Sequence, residues 1–220
     1  MKTIIFGATG MVGQGVLREC LLDPAVEAVL TIGRSTTGHQ SQRLREIVVP
    51  DLFDLSGVEA QLSGYDACFF CLGVSAVGMS GQEYRQITFE LTISVARTLL
   101  KLNPSMTFLY VSGVGTDSTE RGGSMWARVK GQTENTLLKM PFKAAYMFRP
   151  GYIQPLHGIK TKTRWYGALY AVVSSLYPLL KRLFPNQVTT TQELGRAMIA
   201  AAKQASAKRI VESGEIRAFL

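Results

Sequence analysis

Short apolar runs alternate with stretches of helical periodicity along most of this chain, and this alternation constrains the fold more than any other feature. The apolar runs are continuous, which is typical of strands that are buried on both faces of a parallel sheet. They are Thr3–Phe6, Ala28–Ile32, Ile47–Val49, Ala67–Cys71, Thr107–Val111 and Ala144–Phe148. The helical stretches between them are Met11–Leu22, Gln82–Leu102 and Ser124–Lys139. This order predicts an α/β fold, a Rossmann-like doubly wound parallel sheet with right-handed crossovers.

The length of 220 residues suits one domain with a small appendage. A content of 46% hydrophobic and 18% charged residues supports a packed core and argues against disorder. The character of the chain changes after Gly151, because residues 152–190 hold most of the later aromatic residues and several prolines. We therefore expect a Rossmann domain over residues 1–151 and a C-terminal lid or substrate region with a closing helix over residues 152–220.

A glycine-rich loop joins the first strand to the first helix. Its glycines, Gly7, Gly10 and Gly13, are spaced for a tight turn, for a close approach to a pyrophosphate and for packing of the helix on the sheet. The helix N-terminus adds free N–H groups and a partial positive charge. The alternative is a glycine-rich turn without a ligand. The expected phosphate-binding residues are Gly7, Thr9, Gly10, Met11, Val12 and Gly13.

The end of the second strand selects between the two dinucleotide cofactors. NAD sites usually place an acid there to hold the ribose, whereas this chain has Arg34 followed by Ser35 and Thr36. Because an arginine can fork onto a 2′-phosphate, the sequence favours NADP over NAD. After the third strand come Asp51, whose carboxylate is placed to accept from the adenine amino group, and Leu52. The alternatives are a solvent-facing arginine and an ordinary turn aspartate.

Cysteine and charge exclude several other classes of function. Cys68 and Cys71 form a C-x-x-C pattern, but it lies in a predicted buried strand and no second Cys or His pair completes a zinc site. We therefore expect no metal and, because the thiols are free and no export signal is visible, a cytoplasmic protein. The net charge of +8 fits a solvated basic surface, an anionic ligand or an acidic membrane. No nucleic-acid-binding motif is present, so no nucleic-acid partner is expected.

Five segments together carry a resemblance to a known superfamily. They are GATGMVG, CLGVSAVG, FLYVSGVG, VKGQTE and FRPGYIQP. In this order and spacing the chain resembles the short-chain dehydrogenase/reductase superfamily, in its atypical or extended branch, over roughly residues 1–155. Within that branch it is similar to the Tat-interacting, tumour-suppressor-like oxidoreductases and to bacterial NAD-dependent epimerase/dehydratase-like proteins.

The resemblance implies a role for each segment. Ser112 stands at the place of the catalytic serine and Lys130 at the place of the lysine that holds the nicotinamide ribose. The other implied cofactor contacts are Cys71, Leu72 and Gly73 at the ribose and Arg149, Pro150 and Gly151 at the nicotinamide carboxamide. Trp126 occupies the position of the catalytic tyrosine, four residues before Lys130. An indole neither donates nor takes a proton at useful pH, so the family's proton donor is missing.

Other residues are possible replacements for that donor. Tyr152 follows the Arg-Pro-Gly segment, Tyr84 opens the long helix and His157 is a titratable group nearby. Each is alternatively a core or lid residue with a satisfied polar tip. Trp126 either packs its helix on the sheet or shapes an apolar pocket beside the nicotinamide.

Two functional hypotheses follow. One is an NADP(H)-binding oxidoreductase or epimerase-like enzyme that acts on an unknown small carbonyl or hydroxyl substrate. The other is a catalytically silent NADPH sensor or scaffold. The apolar segment 160–185 has basic flanks and is interpreted as a lid helix, a peripheral membrane contact or an oligomer contact. A monomer or a homodimer is expected.

Overall fold

The computed structural model describes residues 1–159, 177–204 and 206–220. The strands are β1 (Lys2–Phe6), β2 (Ala28–Gly33), β3 (Leu44–Val48), β4 (Ala67–Phe70), β5 (Thr107–Val111), β6 (Ala144–Arg149), β7 (Tyr152–Gln154), β8 (Val188–Thr190) and β9 (Ile210–Glu212). The helices are α1 (Met11–Leu22), α2 (Gly81–Arg85), α3 (Leu91–Leu102), α4 (Met125–Lys139), α5 (Tyr177–Leu183) and α6 (Thr191–Lys203). A π-helical turn, Gln86–Glu90, joins α2 to α3, and 3₁₀ turns cover Ser56–Gln61 and Ser213–Phe219.

The central sheet has seven parallel strands in the order β3-β2-β1-β4-β5-β6-β9. The chain runs outward from β1 to β3, then returns to β4 on the other side of β1 and continues to β6. The strand order therefore reverses between β1 and β4, which is where doubly wound sheets bind their ligands. The expected α/β fold is confirmed.

Helices cover both faces of this sheet, which is why its strands read as continuous apolar runs. On one face α3 and α4 pack on a core that includes Phe6, Phe70 and Phe108 from three strands. The ring centroids of Phe6 and Phe70 are 5.6 Å apart, and those of Phe70 and Phe108 are 5.8 Å apart. On the other face α1 and α6 pack on Ile5, Phe69 and other buried residues.

Most predicted elements are present, with shifted ends. The third strand begins at Leu44 and ends at Val48, whereas Ile47–Val49 was expected. The long helix, expected over Gln82–Leu102, begins at Gly81 and is interrupted by the π-helical turn. Helix α4 begins one residue later than expected, since Ser124 has extended backbone angles and acts as the N-cap.

The chain after Gly151 is joined to the central sheet. Strand β9 adds a parallel edge beside β6, and helix α6 packs across α1 with Met198 and Ile199 buried, as the closing helix was expected to do. Strands β7 and β8 form a second, two-stranded sheet that the sequence did not predict, because three-residue strands carry too little periodicity. The division of the chain at Gly151 stays a prediction.

Most of the predicted lid or membrane segment, residues 160–176, lies outside the described residues. The last part of the predicted segment forms α5. Leu183, the final residue of this helix, and Phe184, which follows it, are both exposed. Within residues 1–159, 177–204 and 206–220, no helix combines the length and apolarity that crossing a bilayer requires. Peripheral membrane contact stays a prediction.

A glycine in α4 allows this helix to lie against the loop that follows β5. A Cβ atom at Gly131 would be 1.8 Å from the carbonyl oxygen of Asp117, which is backbone and has little room to move. We expect Gly131→Ala to lower the free energy of unfolding. The overpacking cost of ~1–3 kcal/mol or more exceeds the helix-propensity gain of ~1 kcal/mol. Urea denaturation measures the change.

Gly123→Ala is the matched control, because nothing lies within 4 Å of a Cβ atom built at that position. It should leave the urea midpoint nearly unchanged. Equal midpoints for Gly131→Ala and the wild-type protein would contradict the close approach of α4 to the loop.

Candidate functional site

A cavity of about 530 Å³ opens at the carboxyl edge of the sheet, at the point where the strand order reverses. Loops after β1, β2 and β4 supply most of its walls. The predicted cofactor residues among its lining are Gly7, Thr9, Gly10, Met11, Arg34, Ser35, Leu52, Cys71, Leu72 and Gly73. Residues far apart in the chain thus meet at one cavity because the parallel strands end at one edge.

The glycine loop has a backbone conformation that other residues would strain. Gly7 has a φ of +79°, and a Cβ atom there would lie 2.7 Å from the backbone of Cys71 and Leu72. A Cβ atom on Gly13 would lie 2.1 Å from the carbonyl oxygen of Gly7. Gly7 thus allows the glycine loop to lie against the loop after β4, and Gly13 allows α1 to lie against the glycine loop. Gly10 has more room, since its nearest neighbour would be 3.3 Å away.

The N-terminus of α1 points its unpaired N–H groups toward this loop. The N-cap is Gly10, which has no side chain that could accept from the first N–H groups of the helix. The first turn contains no acidic residue. No carboxylate of that turn therefore competes for the positive end of the helix. The loop and helix together form a site suited to a phosphate group.

Arg34 lies at the end of β2 with its side chain exposed along the cavity. It forms no hydrogen bond or ion pair with any residue that the structure describes. The loop that carries it is held by Glu46 of β3, whose carboxylate accepts from the Thr31 hydroxyl at 3.0 Å and from the Thr37 N–H at 2.8 Å. The sequence did not single out Glu46, because its role depends on the pairing of β2 with β3.

The cavity fits a dinucleotide phosphate in its donors and its shape. It combines a helix N-terminus without a competing acid, close backbone packing at Gly7 and Gly13, and an unpaired arginine. Asp51 is exposed, does not line the cavity and accepts from the N–H of Phe53 at 2.9 Å. Its contact with adenine and the other individual cofactor contacts stay predictions. Val12 is the second residue of α1 and does not line the cavity.

The cysteines of the C-x-x-C pattern lie on opposite faces of the sheet, Cys68 with one core and Cys71 with the other. Burial raises the pKa of the Cys71 thiol to about 12, and burial also raises that of Cys68. Both thiols are therefore protonated at neutral pH. In the described residues no group of three His, Cys, Asp or Glu side chains is placed to hold a metal ion.

Helix α4 holds the end of β5 through two residues one turn apart. The Lys130 ammonium donates to the carbonyl oxygen of Ser112, and the Ser112 hydroxyl donates to the carboxylate of Glu134. The hydroxyl oxygen of Ser112 also lies 3.1 Å from the carbonyl oxygen of Phe148. A hydroxyl has a single proton, so Ser112 in this rotamer has none to offer a substrate. Its predicted catalytic role stays a prediction.

Arg149 and Glu134 form a buried ion pair beside Ser112. The Nε atom of Arg149 donates to the Glu134 carboxylate at 3.0 Å, and Nη2 donates to its second oxygen. Nη1 donates to Glu212 of β9 at 2.9 Å, and Nη2 also reaches the Ser118 hydroxyl. Each of the three nitrogens of the guanidinium that was predicted to meet a nicotinamide thus donates to a protein group. That contact, with those of Pro150 and Gly151, stays a prediction.

The sequence analysis missed Glu134. Its only signal is the spacing in KGQTE, where it stands four residues after Lys130 and therefore on the same helix face. Position alone did not show that Arg149 would pair with it. That pairing requires β6 beside β5 and α4 packed against both.

Trp126 lies on the first turn of α4 beneath the loop after β5. A Cβ atom on Gly115 would be 3.1 Å from the indole, so the ring packs directly against the loop backbone. The Lys130 ammonium is 5.8 Å from the centroid of the indole, within reach of a cation–π attraction. The indole therefore packs the loop and faces the lysine at the same time.

The other possible proton donors are engaged elsewhere. Tyr84 is buried, and burial raises its pKa above the ordinary value. The Tyr152 hydroxyl donates to Gln154 at 2.8 Å. His157 is exposed and has a left-handed backbone conformation, and its Nε2 atom lies 3.3 Å from the side-chain amide oxygen Oε1 of Gln192. None of the three lines the cavity, and neither do Ser112, Trp126 and Lys130, which lie beyond it at the end of β5.

Lys130 differs from an ordinary surface lysine. Its side chain is half-buried between α4 and the end of β5. Burial lowers the pKa of its ammonium to about 8, although the nearby Glu134 carboxylate opposes this shift. Both protonation states of Lys130 are therefore accessible near neutral pH.

The chain is similar to fungal proteins named FMP52. It is 26% identical to the mitochondrial protein FMP52 of Candida albicans over 155 residues, which cover 69% of this chain and 66% of that protein, just under two thirds. It is 26% identical to FMP52 of Eremothecium gossypii over 221 residues, covering 98% and 96% of the two chains. The expectation of a cytoplasmic protein is corrected by these names, since both relatives are called mitochondrial. Free thiols distinguish an oxidising from a reducing compartment and nothing finer.

Solved structures and a family model agree with the geometry. A short-chain dehydrogenase family protein from Francisella tularensis aligns with a TM-score of 0.67 at 14% identity, over 90% of this chain and 89% of that one, which shows the shared fold. The model of the NAD dependent epimerase/dehydratase family matches residues 3–124, which include the glycine loop, Arg34 and Ser112. The resemblance read from the sequence motifs is confirmed, and the chain belongs to the NAD-dependent epimerase/dehydratase family of Rossmann-fold proteins.

Proposed function

We propose that this protein is an NADP(H)-dependent oxidoreductase or epimerase-like enzyme acting on a small carbonyl or hydroxyl compound. The observation that carries the proposal is the cavity in which the glycine loop and an unpaired Arg34 face the same space. A free arginine and two hydroxyl residues at the end of β2 suit a 2′-phosphate, whereas a ribose hydroxyl is usually held by an acid there.

When bound, the nicotinamide cofactor supplies or accepts a hydride. The chain's own residues have separate tasks. N–H groups of the glycine loop and the positive end of α1 hold the pyrophosphate, and Arg34 with Ser35 binds the 2′-phosphate. Lys130 holds the nicotinamide ribose, and the indole of Trp126 excludes water beside it. These tasks of Lys130 and Trp126 are what the resemblance of the α4 segment to the superfamily implies, and the two side chains lie next to each other beside the end of β5.

A second candidate is a catalytically silent NADPH sensor or scaffold. Trp126 favours it, because an indole cannot replace a phenol in proton transfer. The Ser112 hydroxyl favours it too, because its proton is engaged by Glu134. Both candidates require NADPH binding, so they differ only in whether the protein catalyses hydride transfer.

Nucleotide binding is measured by titrating the fluorescence of the protein with NADPH and then with NADH. We expect NADPH to bind more tightly. We expect Arg34→Ala to weaken NADPH by about 10- to 100-fold, since a hydrogen bond to a charged group contributes ~1.5–3 kcal/mol. NADH affinity should change little in this variant.

Arg97→Ala is the control for the charge change. It removes one exposed positive charge from α3, away from the cavity. Its affinity for NADPH should equal that of the wild-type protein. If neither nucleotide binds, the proposed function and the cofactor contacts fail together. If Arg97→Ala weakens NADPH as much as Arg34→Ala does, the assignment of the 2′-phosphate to Arg34 is wrong.

The two candidates are separated by following NADPH oxidation with a panel of aldehydes and ketones, in the wild-type protein and in Trp126→Tyr. We expect the wild-type protein to oxidise NADPH with at least one member of the panel. The silent alternative is supported instead if NADPH binds tightly, no substrate is reduced, and Trp126→Tyr is equally inactive. A gain of activity confined to the variant would indicate an enzyme that has lost its acid.

A further inference from the structure

The proposed reaction needs a proton donor, and Lys130 is the described residue best placed to supply one. Its ammonium lies at the end of β5, bonded to the Ser112 carbonyl oxygen and 5.8 Å from the centroid of the Trp126 ring. A Cβ atom built on Gly113 would be 3.7 Å from Nζ, so the backbone of the loop after β5 lies directly beside the amine. The ammonium is thus next to the position that a tyrosine would have filled.

The neighbouring polar groups do not compete for this task. The Ser112 hydroxyl donates to Glu134, and the Glu134 carboxylate is neutralised by the guanidinium of Arg149. Lys130 itself forms no ion pair with any described residue, although Glu134 is one helical turn away. One of its three N–H donors is directed to the Ser112 carbonyl, and the other two make no hydrogen bond with a described residue.

We infer that Lys130 is the catalytic acid of this protein and transfers a proton from Nζ to the substrate carbonyl oxygen during reduction. The inference rests on the proposed function. The ammonium would give its proton to the carbonyl oxygen as the π electrons of the C=O bond move onto that oxygen, while the carbonyl carbon would gain its new C–H bond from the hydride that bound NADPH supplies. The products are an alcohol, NADP⁺ and a neutral amine, which solvent protonates again. In the oxidative direction the neutral amine is the base.

The surroundings of Lys130 favour both the release of its proton and the later protonation of the neutral amine. Partial burial favours the neutral amine and lowers its pKa to about 8, while the Glu134 carboxylate on the same helix favours the ammonium. Arg149 on β6 pairs with both Glu134 and Glu212 of β9, so these three groups together carry one net negative charge, which also favours the ammonium. An ordinary lysine has a pKa of ~10.4 and releases its proton far less readily at neutral pH.

Lys130→Arg is the decisive variant, because arginine keeps the positive charge and the hydrogen bonds but does not lose a proton in proteins. We expect NADPH affinity to change by less than about 10-fold. We expect kcat to fall by about 10²–10⁴-fold, the usual contribution of general acid catalysis. Lys139→Arg, at the exposed end of the same helix, should retain wild-type kcat.

The dependence of kcat on pH gives a second, independent test of the inference. Reduction requires the ammonium, so kcat for reduction should be level below the pKa and should fall tenfold per pH unit above about 8. Glu134→Gln removes the negative charge that favours the ammonium, so the midpoint should move to lower pH. If that variant does not fold, the wild-type profile and Lys130→Arg still decide the matter. A profile without a midpoint between pH 7 and 9 contradicts the inference.

A measurement without turnover tests the same amine. The pH dependence of lysine acetylation by acetic anhydride is followed for Lys130 by mass spectrometry of peptides. We expect a midpoint near 8 for Lys130, and we expect saturating NADPH to slow its labelling. Labelling of Lys143, exposed at the start of β6, is the control and should not respond to NADPH. Labelling of Lys130 that is unaffected by bound NADPH would place the amine outside the cofactor site and overturn the inference.

The failures are distinguishable. If wild-type protein reduces a carbonyl and Lys130→Arg does so at an undiminished rate, the assignment of Lys130 is wrong and the proposed function stands. If wild-type protein binds NADPH, protects Lys130 from labelling and reduces nothing, the proposed function fails and the catalytic role of Lys130 falls with it. A residual rate restored by added methylamine in Lys130→Ala would support direct proton transfer by the amine.

Discussion

All seven strands of the central sheet run in one direction, and the rest of the molecule depends on this constraint. Their carboxyl ends share one edge, so the loops after β1, β2, β4, β5 and β6 are neighbours although the sequence separates them widely. The reversal of strand order between β1 and β4 opens the cavity at that edge. Two close backbone approaches, at Gly7 and Gly13, pack the glycine loop tightly against its neighbours at this edge.

At the ends of β5 and β6, an ion pair and charged hydrogen bonds hold this edge of the sheet to α4. Glu134 is fully buried, and leaving its carboxylate unpaired in such a site would be costly. Arg149 and the Ser112 hydroxyl satisfy it and so tie α4 to β5 and β6. The same helix carries Lys130 and Trp126, and the network therefore sets where both lie. Residues that resemble catalytic and cofactor contacts in the sequence are here also structural.

Trp126 stands where the superfamily that the motifs resemble has a tyrosine, so the groups at this edge cannot have the same roles as in that superfamily. A phenol there would have carried the proton, with the lysine lowering its pKa. The indole instead packs against the loop at Gly115, and burial lowers the pKa of the neighbouring Lys130 amine. Desolvation shifts the pKa of an ammonium in this direction when, as here, it has no ion pair among the described residues.

The fold followed from the sequence because its signals are local. Continuous apolar runs, helical periodicity and three spaced glycines each depend on neighbours in the chain, and they located the strands, the helices and the nucleotide loop to within a few residues. Very short elements were missed, since β7 and β8 contain too few residues to show a period.

What the sequence determined by itself was the fold class, the family and the residues around the cavity at β1, β2 and β4. Only the tertiary structure decided that Glu134 pairs with Arg149, that Glu46 holds the loop of Arg34, and that Lys130 is half-buried against Ser112. These are contacts between side chains on different strands and helices. Their burial and charge depend on packing, which no spacing along the chain encodes.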